Sequence, residues 1–584
     1  MTTNATPARS GIGRATVVMA GGTILSRLTG LLRTVAFAGL GATLLSDAYT
    51  LANNSPNIIF ELVVGGVLSA TLIPVFVDLL GRGRDEAEEG ISAIVTLALT
   101  VSVALALALA LFAPWVIRLY NVFDSSPDPN QQALATALLR LFAPQVAIYG
   151  FITVATALLN ARRRFAAPMF APILNNIVVI VVMIWAQHLL HQLARVSSID
   201  LKRNPSASLN LVRLDTPTTL LLGLGTTAGV VAMGAALLPS LRRSGIRFRF
   251  RWDPRHPAVA TVLRLAGWTF GYVIANQVAL NFVYAVAKRR DGDLSVYTLA
   301  FSTFFLLPHG VVAVSIMTAM QPQLSLDFIE RRRGRFRMRL NEGIRNILCL
   351  LVPAAAFYVA VARPIVEFAL MRGQMTLEKS NLIADTTRAF AVGLPAFSCY
   401  LLLMNALKAM RNTRATFELN VVENAVNIVL AALLYSHWGV QGLAAAFAIA
   451  YIVASVAAGR VVGRHIGGIG GFAIATSLRN ILATSTAMGF GAWLASWSID
   501  HVVGRHALLF RLPNRLALLA EISAAAMVGV TVYLSVGRMI GVSELRAVLA
   551  PVRRRLSKRA GHPQPATRRP PTMPTINQRP KRRS

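Results

Sequence analysis

Fourteen stretches dominated by apolar residues recur along the chain, each about as long as a membrane-crossing helix and separated by short polar segments. They lie at 15–44, 48–77, 91–117, 133–159, 169–190 and 218–240, then at 258–287, 294–320, 343–370, 382–407, 415–435 and 440–459, and finally at 473–499 and 516–537. A hydrocarbon core about 30 Å thick is crossed by roughly 20 helical residues. The pattern therefore predicts an all-α polytopic membrane protein with about 14 transmembrane helices. No short apolar run with a cleavage site precedes the first stretch, which reads as an uncleaved span.

The first two runs break the pattern most. Between Ser26 and Pro74 they hold Arg27, Arg33, Asp47, Glu61, Asn53, Asn54 and Asn57. An arginine at mid-membrane costs roughly 3 kcal/mol and normally faces a wet cavity or a partner. Arg27 falls about 12 residues, or roughly 18 Å of helix, past the start of its run. Arg27 and Arg33 point roughly 120° apart and flank Gly30, where the missing side chain leaves room for a ligand or another helix. Pro56 frees a backbone carbonyl beside the asparagines, which is tolerated at membrane depth where it lines a cavity or meets a partner. These residues predict a site for something anionic. The plainer alternative is that Arg33 reaches an interface and the asparagines bond neighbouring helices.

An internal repeat supplies the architecture. At an offset of 248 residues, Tyr49-Thr50-Leu51-Ala52 falls on Tyr297-Thr298-Leu299-Ala300, Val63-Val64 on Val311-Val312, and Pro74 on Pro322. The fifth and eleventh runs agree at nearly the same offset. The expected organisation is two pseudo-symmetric six-helix lobes related by an axis along the membrane normal, plus two extra C-terminal helices. In residues, this means an N-terminus at 1–14, lobes at 15–240 and 258–459 joined by a basic linker at 241–257, the extra pair at 473–537 and a basic disordered tail at 538–584. Two such lobes rocking about a shared cavity predict alternating access.

Composition sharpens this. Of 584 residues 55% are hydrophobic and 14% charged, against about 25% charged in soluble domains. The net charge of +33 gathers in the loops at Arg82 and Arg84, 162–164, 242–255, 331–339 and 408–414, and in the tail. Loops rich in Lys and Arg stay in the cytoplasm, so both termini are expected there, with Lys288, Arg289 and Arg290 breaking the bias. This distribution fits attraction to anionic membrane lipid rather than to nucleic acid. Cys349 and Cys399 read as buried inert thiols. His188 and His191 form no metal spacing, the glycine-rich 467–471 reads as a connector, and no P-loop or nucleophile–base pair is present. No enzymatic activity, cofactor or metal is expected.

Several motifs together carry a likeness: Ser26-Arg27-x-x-Gly30-x-x-Arg33, Ser46-Asp47-Ala48, Pro56-Asn57, the long segment Leu159-Asn160-Ala161 through Arg164, Pro168 and Pro172 to Asn175-Asn176, and Arg411-Asn412-Thr413-Arg414 with Asn420. They resemble the MurJ (MviN) family of lipid II flippases, within the multidrug/oligosaccharidyl-lipid/polysaccharide exporter superfamily. The resemblance covers about 15–537 and implies a bacterial inner-membrane protein. It also implies that Arg27 and Arg33 hold the pyrophosphate of lipid II or a related polyprenyl-linked saccharide, with Gly30, Asp47, Asn53 and Asn57 at the substrate. Ser26, Pro56, Asn160, Arg164, Pro168, Pro172 and Asn175 are implied in structure or gating. The extra pair would offer a groove for the lipid tail, although its small residues Gly489, Gly491 and Ala524 to Ala526 equally suit helix packing.

The chain departs from the family pattern at two places. Phe60 and Glu61 follow Asn57 where a further arginine is expected, and Thr303 stands where many members carry a third arginine, with His309 the nearest ionisable group. Both departures fit a divergent paralogue with a less positive cavity, and the high arginine and alanine content suits an actinobacterial member from a GC-rich bacterium. Asp47 and Glu61 are expected to pair with Arg27 or Arg33, or else to relay protons. Export of another lipid-linked saccharide or anionic amphiphile, and a non-transporting scaffold for cell-wall synthesis proteins, stand as alternatives.

Overall fold

The computed structural model describes residues 9–61, 69–162, 164–201, 204, 206–245, 248–503, 514–542 and 544–545. Most of the predicted basic tail, the first eight residues, Val63-Val64 and Arg163 lie outside the described residues. In the N-terminal half the helices are α1 (Arg9–Ala38), α2 (Leu44–Phe60), α3 (Ser69–Gly81), α4 (Arg84–Leu111), α5 (Ala113–Tyr120), α6 (Pro129–Phe142), α7 (Pro144–Ala161), α8 (Ala166–Val196), α9 (Ala207–Leu214), α10 (Thr216–Ala235) and α11 (Leu238–Arg242). There follow α12 (Pro257–Ala287), α13 (Asp293–Leu299), α14 (Leu306–Pro308) and α15 (Val314–Ile329), with π-helical turns at Ala300–Phe305 and His309–Ala313 between the last three. The chain continues through α16 (Arg333–Leu370), α17 (Leu377–Ala409), α18 (Thr413–Ile466), α19 (Gly471–Val503) and α20 (Asn514–Ile540).

Each predicted apolar run is mostly helix where its residues are described, and ten helices among these residues are long and apolar enough to cross a membrane. The asparagine-rich α2, 17 residues long, is not among the ten. Two runs merge into α18, where Gly439 turns the chain at φ 56° and ψ −139°. A side chain there would strain the backbone and crowd Arg290, whose Nη1 lies 3.0 Å from an added Cβ.

Packing follows the repeat. α1 lies on α8 in the first half, and its counterpart α12 lies on α18 in the second. The same asparagine holds both pairs: Asn176 Nδ2 donates to Thr29 Oγ1 at 3.0 Å, and 248 residues later Asn424 Nδ2 donates to Asn276 Oδ1 at 3.3 Å. The turns before α8 and α18 also match, with Arg164 N donating to Leu159 O at 2.8 Å and Asn412 N to Leu407 O at 3.0 Å. In lipid such bonds stabilise helix pairs because the apolar surface supplies little net attraction. α19 and α20 pack on each other and on α16. Their small residues serve that packing: an added Cβ on Gly491 would lie 3.2 Å from Val532, one on Gly489 would lie 3.5 Å from the Ala356 side chain, and Ala525 is fully buried. Just beyond α20, burial opposes the charge of Glu544, yet the Ser477 hydroxyl and the Arg345 guanidinium hold its carboxyl below the usual range.

The halves meet where α2 and α13 begin. Asp47 Oδ2 accepts the Gly292 N–H at 2.8 Å, and its Oδ1 accepts the Ser295 N–H at 2.9 Å and the Ser295 hydroxyl at 2.7 Å. Asp47 and Ser295 are 248 residues apart and are thus each other's repeat equivalents. The carboxylate caps a helix of the other half, where amide donors and the helix dipole both favour negative charge. Gly292 permits the approach through its φ of 83°; a Cβ there would fall 2.2 Å from Ala42 O. Around this contact Gln374 N donates to Gly39 O at 3.0 Å, and the buried Lys288 ammonium donates to Gln131, whose Nε2 donates to Leu44 O at 3.0 Å. Arg289 lies over the Phe123 ring and Arg290 over Tyr435. The three cations that broke the charge bias are thus drawn into the junction by a glutamine oxygen, by ring faces and by the neighbouring Asp47 and Asp293 carboxylates.

Replacing Asp47 with Ala leaves its donors unpaired, at roughly 3 kcal/mol, on the order of a hundredfold in the closed-to-open ratio. A thiol placed at the fully buried Ala48 is expected to react with maleimide roughly tenfold or more faster on the Asp47→Ala background. Equal labelling in the two backgrounds would refute the clasp.

Candidate functional site

Just inside this junction lies a cavity of about 290 Å³, lined by α1, α2, α7, α8, α10, α12 and α13 together with Ser302 of the first π turn. Arg33, Asn53 and Asn57, expected at the substrate, all reach it, together with Asn54 and with Asn175, expected in structure or gating. Pro56 is accommodated within α2, and beside it Asn57 Nδ2 donates to Asn53 O at 2.9 Å. The side chain thereby satisfies a carbonyl next to the one that the proline frees. Asn175 Oδ1 and Asn54 Nδ2 are buried without a hydrogen-bond partner among the described residues, a costly state for polar atoms away from water. The cavity thus offers spare donors and acceptors around one guanidinium.

Three expected contacts are not brought together there. Asp47 is 0% exposed, and its oxygens are occupied by Gly292 and Ser295, so neither it nor an Asp47–arginine pair contributes to the lining. Gly30 faces α8, with Asn176 Nδ2 3.7 Å from an added Cβ; the space left by its missing side chain belongs to a helix. Arg27 points out of the cavity toward the second half, its guanidinium carbon 3.6 Å from where a Gly310 Cβ would stand. A six-residue spacing puts Arg27 and Arg33 on different faces, and the neighbours of α1 decide which face meets the cavity. Glu61 is exposed at the end of α2 and forms no pair with Arg33 among the described residues.

The remaining motif residues build the frame. The Ser26 carbonyl accepts Asn176 Nδ2 at 3.3 Å, and Arg164 Nη1 donates to Ser240 O at 3.2 Å, tying the turn before α8 to the end of α11. Pro168 lies in the first turn of α8, where a missing N–H is harmless, and Pro172 lies inside it. Asn160 Oδ1 is buried without a partner among the described residues at the end of α7. Thr303 is buried with its hydroxyl unpaired among those residues. His309 is 6% exposed, 2.9 Å from Ser398 Oγ, and packed edge-on against Phe397, so it does not line the cavity. Arg33 is therefore the one cationic side chain in the lining among the described residues.

Other lining residues have no motif of their own. Tyr49 shares a hydrogen bond with Thr226 Oγ1 at 2.9 Å, and Gln145 Nε2 donates to Thr227 Oγ1 at 3.0 Å. Thr50 and Thr298 both line the cavity, one from each copy of the duplicated Tyr-Thr-Leu-Ala block. That block marks the repeat, and the same residues bring two hydroxyls to the site. α13 leaves α-helical geometry directly after Leu299, and such π turns recur at functional sites in helices.

Known proteins share this fold. A family model described as lipid II flippase MurJ matches residues 37–512. A probable lipid II flippase MurJ of Bdellovibrio bacteriovorus is 26% identical over 452 residues, covering 76% of this chain and 81% of that one. Among solved structures, a lipid II flippase MurJ in an inward closed conformation aligns with TM-score 0.70 at 20% identity, covering 91% of this chain and all of that one. A multidrug resistance MATE family transporter in an inward-facing conformation aligns with TM-score 0.60 at 14% identity, covering 77% of this chain and 98% of that one. The family match begins just past Arg33, so both arginines rest on the sequence motif and on the geometry above. With its helices paired by repeat, its cavity at the junction of the halves and the family match running through most of its length, this multi-pass membrane protein belongs to the MurJ family.

Proposed function

We propose that the protein flips lipid II, an undecaprenyl-pyrophosphoryl muropeptide, from the inner to the outer leaflet of a bacterial plasma membrane by alternating access. The observation that carries this reading is Arg33, without a carboxylate partner among the described residues, in a polar cavity beneath the junction of two duplicated halves. A guanidinium donates two parallel hydrogen bonds to a phosphate, and Asn53, Asn57, Thr50 and Thr298 provide further hydrogen-bonding groups for a pyrophosphate and its first sugar. At 290 Å³ the cavity is at the small end of ligand sites, about 300–1,000 Å³. A whole headgroup enters only when the halves part, which makes the Asp47 clasp the outward gate of the cycle. Fourteen crossings, both termini cytoplasmic and lobes at 15–240 and 258–459 complete the reading, and cell-wall synthesis proteins are its natural partners. The single cation in the lining also favours a second cargo, a polyprenyl-linked saccharide carrying one phosphate.

Depletion of the protein in its host is expected to leave lipid II protected from an externally added enzyme that cuts only outward-facing lipid II. Wild-type protein restores access. Arg33→Ala, folded and in the membrane, is expected to lose about 10–100-fold of flipping as its charge-assisted bonds go. Unchanged access after depletion would favour the second cargo.

Two further outcomes separate site from scaffold. Thr298→Phe fills the cavity from the second half and is expected to abolish flipping while leaving protein level and thermal unfolding near wild type. Arg33→Lys retains charge but not the planar fork and is expected to retain partial activity. A protein that only recruits partners would tolerate both.

A further inference from the structure

A second cavity, of about 1,090 Å³, opens at the arginine-rich end of the C-terminal half and shares no residue with the first. Arg331, Arg333 and Arg411 line it, and none has a carboxylate partner among the described residues. The carboxylate on its wall, Asp327, is neutralised by Arg339 at 2.9 Å. α16 and α18 both begin at this wall, so their N-terminal dipoles add to the positive field. Asn412 is locked in place, its Oδ1 accepting the Ala415 N–H at 3.1 Å and its Nδ2 lying 3.3 Å from His465 Nε2.

Backbone geometry gives an independent sign. Arg331 and Arg411 adopt φ of 55° and 57°, a left-handed conformation that crowds a residue bearing a Cβ against its own carbonyl. Each sits at the end of a helix where glycine is customary, closed by the same hydrogen bond: Arg332 N to Asp327 O at 2.8 Å and Asn412 N to Leu407 O at 3.0 Å. Two of the three non-glycine residues with positive φ among the described residues are thus arginines facing one cavity. Strain kept in this way marks a site whose side chains are needed. Phe328 and Ile329, 41% and 62% exposed, continue the wall along the outside of α15. Charge above and apolar surface beside it match a phosphate headgroup with acyl chains, as basic pockets between membrane helices do.

We infer that this cavity binds the phosphate headgroup of an anionic glycerophospholipid from the leaflet at the arginine-rich end, independently of the transported cargo. The probe is the purified full-length protein with phosphatidylglycerol, cardiolipin or phosphatidylcholine added, and retained lipid read by native mass spectrometry. Anionic lipids are expected to be retained at least tenfold over phosphatidylcholine. Arg331→Gly with Arg411→Gly suits the left-handed backbone, so the double variant is expected to melt no lower than wild type while losing about tenfold of anionic-lipid retention. Arg333→Gln, which alters no strained position, is expected to lose a smaller share. Unchanged retention in the double variant, or equal retention of phosphatidylcholine, overturns the proposal. Displacement of the lipid by millimolar inorganic phosphate would identify a free-phosphate site instead and equally overturn it.

Discussion

A carboxylate with no exposed surface at the junction of two membrane-embedded halves is tolerable only when its lone pairs are filled. Asp47 meets that requirement with donors from the opposite half, and this one satisfaction aligns the rest. It brings the N-terminus of α13 onto that of α2 and places Thr50 and Thr298 around a common space. It also closes the end at which Lys288, Arg289 and Arg290 are tucked against amide and ring partners. The contact is polar and small, and a junction of that kind can part without exposing a hydrophobic core. Such a junction suits a protein that must open there repeatedly.

Duplication made the two halves alike, and divergence within the duplicate makes the site. Asn176 and Asn424 keep the same helix-pairing bond in both halves. Their preceding neighbours differ: Asn175 lines the cavity, whereas its equivalent, Glu423, is 1% exposed inside the second half. The cavity lining is drawn mostly from the first half, while the second contributes Tyr284 and the end of α13 with its π turn. Behind that turn, Phe301, Phe305, Phe390, Phe397 and Phe447 stack edge and face into a rigid backing. Rigidity on one side and polar adaptability on the other is the division of labour that alternating access demands.

The linear chain makes part of the site legible. Arg33, Asn53, Asn57 and Asn175 stand out because polar groups inside an apolar run are expensive, and expense is visible in a string of residues. The same rule also selects Arg27 and Asp47, and the room left by a missing side chain selects Gly30; these serve the contact between halves, the clasp and the α1–α8 interface. A helix shows only which residues share a face, and its neighbours decide whether that face meets water, a ligand or protein. Tyr49, Thr50 and Thr298 are in plain view as a repeat, yet an uncharged residue in an apolar run raises no energetic alarm.

Sequence alone thus determined what depends on local chemistry: an all-α membrane protein, its duplication at a 248-residue offset, its arginine-rich end and the family resemblance in its motifs. Those properties follow from hydropathy, spacing and composition, which need no third dimension. Tertiary structure decided the rotation of each helix and the partner of each polar group. It gave Asp47 to a helix cap rather than to an arginine, and it left Arg33 as the sole cation in the cavity lining among the described residues. Those outcomes are set by residues hundreds of positions apart, because in hydrocarbon a polar group takes whichever partner the fold brings within reach.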